Sequence, residues 1–422
     1  MKNVACIILA AGRGTRMKSE VPKVLQQVHS RPLLSFILEA LEGAIADSLS
    51  KKILIVGYKD KTVKNAFRNL DSVTQTELLG SGDAVKRAKG VLSKFKGDVL
   101  VLYGDTPFIR KETIRELIRK HAKEKASCTL LAANLKDPSG YGRILRDDND
   151  NIVKIIEERD TSIYEKIIEE INVGLYCFNK EDLFSGLAEL KINAKKQEYY
   201  LTDIVEVLRK ANKKITSVSC KNPIEALGIN SKLDLARANN IIRKNVLELL
   251  MLKGVTIVDP DSTFVNMKAK IGKDTIIHPH TIIEGDVTIG KGCEIGPFAR
   301  IRKQTTIDDG VEIGNFTELV RTSVSSGTKI KHMTYLGDAE IGRNVNIGAG
   351  TITANFDGKS KNKTIIEDGS FIGVGSIFIA PVRVGSGAVV GAGSVVTKGK
   401  NVPPHKTVIG IPARVLKGGR KR

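Results

Sequence analysis

The chain has no tryptophan, only 5% aromatic residues and six histidines among its 422 residues. A nucleic-acid surface of stacking aromatics interleaved with basic residues is therefore not encoded. The net charge of +20 reads instead as a dispersed, solvated surface that suits phosphorylated small substrates. Cysteine is scarce and odd in number: Cys6, Cys128, Cys177, Cys220 and Cys293 stand far apart, with no CxxC pair. Such spacing provides neither a disulfide framework nor a thiolate zinc site, and it points to a reducing cytoplasm. No apolar run approaches the roughly 20 residues of a membrane helix, so no membrane insertion is expected. The apolar stretch from Val4 to Ala11 imitates a short secretion signal, yet it runs straight into Gly12-Arg13-Gly14, which suits a buried first strand. The basic tail from Lys417 to Arg422 is expected to be a frayed end.

What remains is a globular composition, 41% apolar and 27% charged, on a chain long enough for two or three domains. Apolar runs at Val4 to Ala10, Ile53 to Val56 and Val99 to Tyr103 alternate with amphipathic stretches, the pattern of a mostly parallel, helix-covered sheet. A helix is predicted from Lys232, with Ser231 as N-cap, Gly254 as stop, and Leu235, Ala238, Ile242, Val246 and Leu249 on its apolar face. Beyond it the period changes. Ile271, Ile277, Ile283, Ile289, Ile295, Ile301, Ile307, Ile313 and Leu319 recur every six residues, and the phase returns as Ile366, Ile372, Phe378, Val384, Val390 and Val396. Six fits no helical repeat, whereas short strands turning a corner after each hexapeptide place every one of these residues inward. The break between Leu319 and Ile366 is where a loop is expected to leave the coil. The predicted domains are an α/β domain over 1–230, a linker helix over 231–254 and a hexapeptide β-helix over 255–422.

Leu9-Ala10-Ala11-Gly12-Arg13-Gly14-Thr15-Arg16-Met17 followed by Pro22-Lys23 is a strand entering a glycine loop and then basic residues. Backbone N–H groups freed there can approach a polyphosphate, and Arg16 and Lys23 add positive charge. This motif resembles the sugar-phosphate nucleotidyltransferases. Gln75 with Leu79-Gly80-Ser81-Gly82, Tyr103-Gly104-Asp105, Gly140-Tyr141-Gly142-Arg143, Glu157, Ile171-Asn172-Val173-Gly174, Glu198 to Asp203 and Gly228-Ile229-Asn230 follow in order. Over nearly the whole chain they resemble the bifunctional N-acetylglucosamine-1-phosphate uridylyltransferase and glucosamine-1-phosphate N-acetyltransferase family.

That resemblance implies a Rossmann-like α/β domain with a mixed sheet, followed by a left-handed parallel β-helix. It implies that Leu9, Ala10, Ala11, Gly12, Gln75, Gly80 and Ser81 hold the uridine nucleotide and that Arg16 and Lys23 meet its phosphates. Tyr103, Gly104, Gly142, Glu157 and Asn172 belong to the substrate site by the same resemblance, and Asp105 and Asn230 would ligate magnesium. Arg16, Lys23 and Asp105 carry the charge chemistry of an in-line attack on UTP. Asp83 stands where the family has His.

The segment His332 to Gly342, with Asn346 to Ile352 and Asn355 to Gly358, resembles the family's acetyltransferase site. Acetyl transfer to an amine needs a base that titrates near neutrality, and His332 is assigned that role. The resemblance places Arg302, Tyr335, Asn346 and Lys361 around the amino-sugar phosphate, and Ala349, Asn355, Phe356 and Ala392 near acetyl-CoA. Val320 replaces a sugar-binding Lys of the family and Val374 replaces a Ser near the coenzyme. The implied function is acetylation of glucosamine-1-phosphate followed by uridylyl transfer from UTP, by a homotrimer whose product feeds bacterial cell-wall polymers. The alternative is uridylyl transfer alone, with the β-helix as a trimerisation scaffold. A non-catalytic nucleotide-sugar sensor has no use for the charge-stabilising set of Arg16, Lys23, Asp105 and Asn230.

Overall fold

The computed structural model describes residues 3–194 and 197–416; the basic tail 417–422 lies outside them. It comprises two compact units, Met1–Ala238 and Asn239–Arg422. The dividing point falls inside the helix Lys232–Met251, within the stretch 231–254 read as a linker.

In the first unit the strand Val4–Ala10 lies between parallel neighbours Leu49–Val56 and Asp98–Tyr103, and all seven of its residues are buried. Strand geometry sends alternate side chains to opposite faces. Val4, Cys6, Ile8 and Ala10 enter one core with Leu34, Ile37 and Leu41 of the helix Leu33–Ile45, while Ala5, Ile7 and Leu9 enter another with Ala84, Val85 and Ala88. Cover on both faces is why the run is apolar without alternation. The sheet is mixed: Glu170–Asn179 runs antiparallel to both Asp98–Tyr103 and Cys128–Asn134, and carries an antiparallel arm of Gly142–Arg146 and Ile152–Ile156. The loops that follow the central parallel strands open at one end of the sheet, where α/β folds bind ligands.

The helix Lys232–Met251 begins in a reciprocal cap: Ser231 Oγ accepts from Asp234 N (3.1 Å), and the Asp234 carboxylate accepts from Ser231 N (2.8 Å) and Asn230 N (3.1 Å). Its last turns belong to the second core through Leu247 and Leu250, whereas Leu249, predicted on the apolar face, is 57% exposed. Ala238 and Ile242 are buried and Val246 packs against the coil core, as predicted; only in the last turn does the covered position move by one residue, from Leu249 to Leu250.

The second unit is a coil of short parallel strands forming three sheets. Register partners Ile277, Ile295 and Ile313 are 18 residues apart, so three hexapeptides make one turn. The period does not simply lapse after Leu319, as the sequence pattern suggested. Val324, Ile330, Leu336, Ile341 and Ile347 continue the buried ladder. Two coils are one residue short, with Ile313↔Ile330 and Ile330↔Ile347 each 17 apart. The next coil spans 25 residues, from Ile347 to Ile372, because a loop closed by a Phe356↔Lys361 bridge leaves it.

Candidate functional site

The glycine loop, Gln75, Gly80, Ser81, Tyr103, Lys23, Asp105 and Asn230 line one cavity of about 760 Å³ in the first unit. Gly14 sits at φ 59°, where an added Cβ would come within 2.9 Å of Lys23 Cβ. The loop thus folds back onto the lysine it presents. Gly104 N donates to Leu9 O (2.9 Å), and Ile229 N donates to Asp105 O (2.9 Å), which sets Asn230 beside Asp105. Lys23 Nζ pairs with Asp105 Oδ2 and donates to Asn230 Oδ1 (3.0 Å), while Arg16 Nη2 also donates to Asn230 Oδ1 (2.9 Å). Four residues from three distant segments, Arg16 with Lys23, Asp105 and Asn230, therefore meet at one point.

A carboxylate and an amide oxygen already share a cation, the Lys23 ammonium. That donor set fits a hard ion such as magnesium, which takes few protein oxygens and keeps waters. Among the described residues no cluster of three or more His, Cys, Asp or Glu offers another metal site.

Gly142, Glu157 and Asn172 gather on the antiparallel arm: Gly142 is the register partner of Asn172, and Glu157 follows the strand Ile152–Ile156. Glu157 Oε1 accepts from Thr202 Oγ1 (2.8 Å), and burial raises its carboxyl above the usual range. Asn172 Nδ2 donates to Tyr176 Oη (2.6 Å). Ser81 accepts from Leu201 N (3.0 Å) and bonds Tyr103, whose hydroxyl is pushed well up by burial. Gln75 Nε2 donates to Gly80 O (3.0 Å) and to Asp83 Oδ2 (2.8 Å).

In the second unit, His332 Nδ1 lies 2.9 Å from Asn315 Oδ1. An amide oxygen only accepts, so Nδ1 carries the hydrogen, and the neutral form of the ring has its lone pair at Nε2. His332 lines an open groove of about 370 Å³ with Glu294, Pro297, Glu312, Asn315 and Lys331. The other predicted residues fall into separate groups. Tyr335 and Asn355 occupy the space that a Cβ on Gly337 would need, and Asn355 Nδ2 donates to Asp338, whose carboxyl is held below the usual range first by Arg321, with Lys361 adding to the effect. Arg302 pairs with Glu318 (2.8 Å). Asn346 is the register partner of Lys329, on the coil after His332. Ala349, Val374 and Ala392 form one column at a coil corner, through Gly375 N to Ala349 O and Gly393 N to Val374 O (both 2.7 Å). Phe356 is exposed at the base of the loop. Val320 is buried, and Arg321 donates to Asp338 through two bonds (2.5 and 2.8 Å).

Sequence reasoning missed Asn315, Asp338 and the partner of Asp83. The His332 partnership lies 17 residues away, a coil interval that becomes visible only once the short coils are known.

Residues 6–200 match the MobA-like NTP transferase domain. Residues 268–303 match the bacterial transferase hexapeptide (six repeats), and 363–398 the hexapeptide repeat of succinyl-transferase. The chain is 40% identical over 425 residues to the bifunctional protein GlmU of Shouchella clausii, covering 93% of each. It is 39% identical to that of Acetivibrio thermocellus over 99% of this chain and 97% of the relative, and 42% identical to that of Pelotomaculum thermopropionicum over 90% of each. A nucleotidyltransferase fold and a hexapeptide coil in this order, with such identity along nearly their whole length, place the chain in the GlmU family of bifunctional proteins.

Proposed function

We propose that the chain makes UDP-N-acetylglucosamine in two reactions. In the second unit, acetyl-CoA acetylates glucosamine-1-phosphate. In the first, a phosphate oxygen of the N-acetylglucosamine-1-phosphate so formed attacks the α-phosphorus of UTP and pyrophosphate leaves. The observation that carries this reading is the meeting of Arg16, Lys23, Asp105 and Asn230 at the foot of a glycine loop, in a cavity large enough for a nucleotide.

No covalent nucleophile is required of the protein; two polyanions must be brought together and their charge stabilised. Lys23 and Arg16 supply fixed cations beside the loop, and Gln75, Gly80 and Ser81 form the wall proposed to meet the base. Glu157 and Asn172 are proposed to hold the acetylated sugar. Magnesium, held by Asp105 and Asn230, would neutralise charge on the polyphosphate. In acetyl transfer, the sugar's free amine bonds the thioester carbon while His332 Nε2 takes the proton that nitrogen sheds; as the C–S bond breaks, the imidazolium returns that proton to the sulfur and coenzyme A leaves as the thiol. Asn315 keeps the ring in the tautomer this needs.

The second reading, uridylyl transfer alone, rests on Val320 and on the commitment of Arg321 to Asp338. Coenzyme A release with glucosamine-1-phosphate, and pyrophosphate release with UTP and N-acetylglucosamine-1-phosphate, separate the two. His332→Ala is expected to cut the first by roughly 10²- to 10⁴-fold and leave the second unchanged. No coenzyme A release from wild type would leave the coil as a scaffold. The trimer is supported by an exposed aromatic column at one coil corner, His280, Phe298 and Phe316, stacked at 4.8 and 5.2 Å. Light scattering tests it, and a monomer with full acetyl transfer would refute it.

A further inference from the structure

The structure assigns to Asp83 the task of locking the Gln75 amide in one orientation, so that the crevice presents a hydrogen-bond acceptor and selects a pyrimidine whose N3 carries hydrogen. The inference rests on the uridylyl reading above and concerns how that same site chooses its base.

Gln75 is 3% exposed and Asp83 8% exposed. Both hydrogens of Gln75 Nε2 are used, toward Gly80 O (3.0 Å) and Asp83 Oδ2 (2.8 Å). Each partner is acceptor-only here, so the opposite amide orientation would set Oε1 against two oxygens in a buried site and is strongly disfavoured. Asp83 is itself held: Arg87 Nε donates to its Oδ2 (3.3 Å) and Arg87 Nη2 lies 3.2 Å from its Oδ1, one helical turn on. Among the described residues no donor meets Gln75 Oε1, and Gln75 lines the nucleotide cavity. The group offered to a base is therefore an acceptor. Uracil answers it with N3–H. Cytosine has a bare lone pair at N3 and would place two acceptors face to face, unless the amide turned over; Asp83 prevents that turn. The family's His at this position does not supply a carboxylate, so this lock belongs to the present chain.

The test uses the full chain and pyrophosphate release with N-acetylglucosamine-1-phosphate, comparing kcat/KM for UTP and CTP in wild type, Asp83→Leu, Asp83→Ala and Asp83→Asn. Wild type is expected to favour UTP by on the order of 10² to 10⁴. Whichever of the leucine and alanine variants retains a cooperative melt is read. Its UTP/CTP ratio is expected to fall at least about tenfold, mainly through KM for UTP rising and KM for CTP falling, with kcat within about threefold of wild type. Asp83→Asn, whose Oδ1 still accepts from Gln75, is expected to restore the ratio to within about threefold of wild type. Equal slowing of both nucleotides, with the ratio unchanged, would reduce Asp83 to a structural role and overturn the proposal. A wild type that releases pyrophosphate no faster with UTP than with CTP would overturn the uridylyl reading and this inference with it, and is recognised before any variant is made.

Discussion

A single ammonium at the foot of the nucleotide crevice, that of Lys23, touches both oxygen donors proposed for magnesium. Lys23→Ala removes that charge and leaves Asp105 without its ion pair. Pyrophosphate release is expected to fall roughly 10²- to 10³-fold, with coenzyme A release unaltered; a loss below about threefold would dismiss the role. Asp203 offers a pH-dependent measurement in the same unit. Burial first, then the like charges of Glu157, Glu206 and Asp160, push its carboxyl up to about 6. An acid raised in the folded state binds more protons folded than unfolded, so its contribution to stability falls as pH rises from about 4 through 6. Asp203→Asn removes that penalty. Its melting temperature should match wild type near pH 4 and exceed it by about 2–4 °C at pH 7; a constant offset across that range would contradict the assignment. The motif residues Arg16, Lys23, Asp105 and Asn230 were legible in the sequence because each carries chemistry that few other residues supply. Asn315 and Asp338 were not, since an Asn or Asp in a turn-rich coil is commonplace until its partner is known.

Among the elements, the loop from Gln75 to Gly80 and the hexapeptide coil make contrasting demands. Gly80 stands at φ 96°, and a Cβ there would meet Tyr199 O at 2.6 Å. Gly80→Ala is expected to cost about 1–3 kcal/mol and to raise KM for UTP, because it displaces the carbonyl that Gln75 donates to. Unaltered stability and KM would show that the loop is more yielding than its packing implies. In the coil each inward aliphatic touches counterparts one turn above and below, as Ile295 does Ile277 and Ile313. Ile295→Ala should lose about 2–5 kcal/mol, read as a lower melting temperature of the coil. The six-residue period was plain in the sequence wherever coils keep their 18-residue length. It was obscured after Leu319, where two coils drop a residue and a third extrudes a loop.

Across the whole molecule, the cores stay within their own units: the coil interior draws on residues from Leu247 onward, while the two faces of the sheet use residues up to Ala226. Calorimetry is therefore expected to resolve two transitions, with Ile295→Ala moving one and sparing both the other and pyrophosphate release. One transition shifted as a unit would show the cores to be coupled. Sequence alone determined the classes of element: a strand covered on both faces, a glycine loop followed by cations, and a coil of hexapeptides. Those follow from which residues neighbour one another along the chain, and that is written in the sequence directly. Tertiary structure decided which side chains meet: that Gln75 faces Asp83, that His332 leans on Asn315, that Arg321 is spent on Asp338, and that Leu250 and not Leu249 is covered. Such pairings depend on register between segments 8 to 17 residues apart and on which face a neighbouring element covers. Both are set by closure of the coil and the sheet, where one residue more or less redirects every contact that follows.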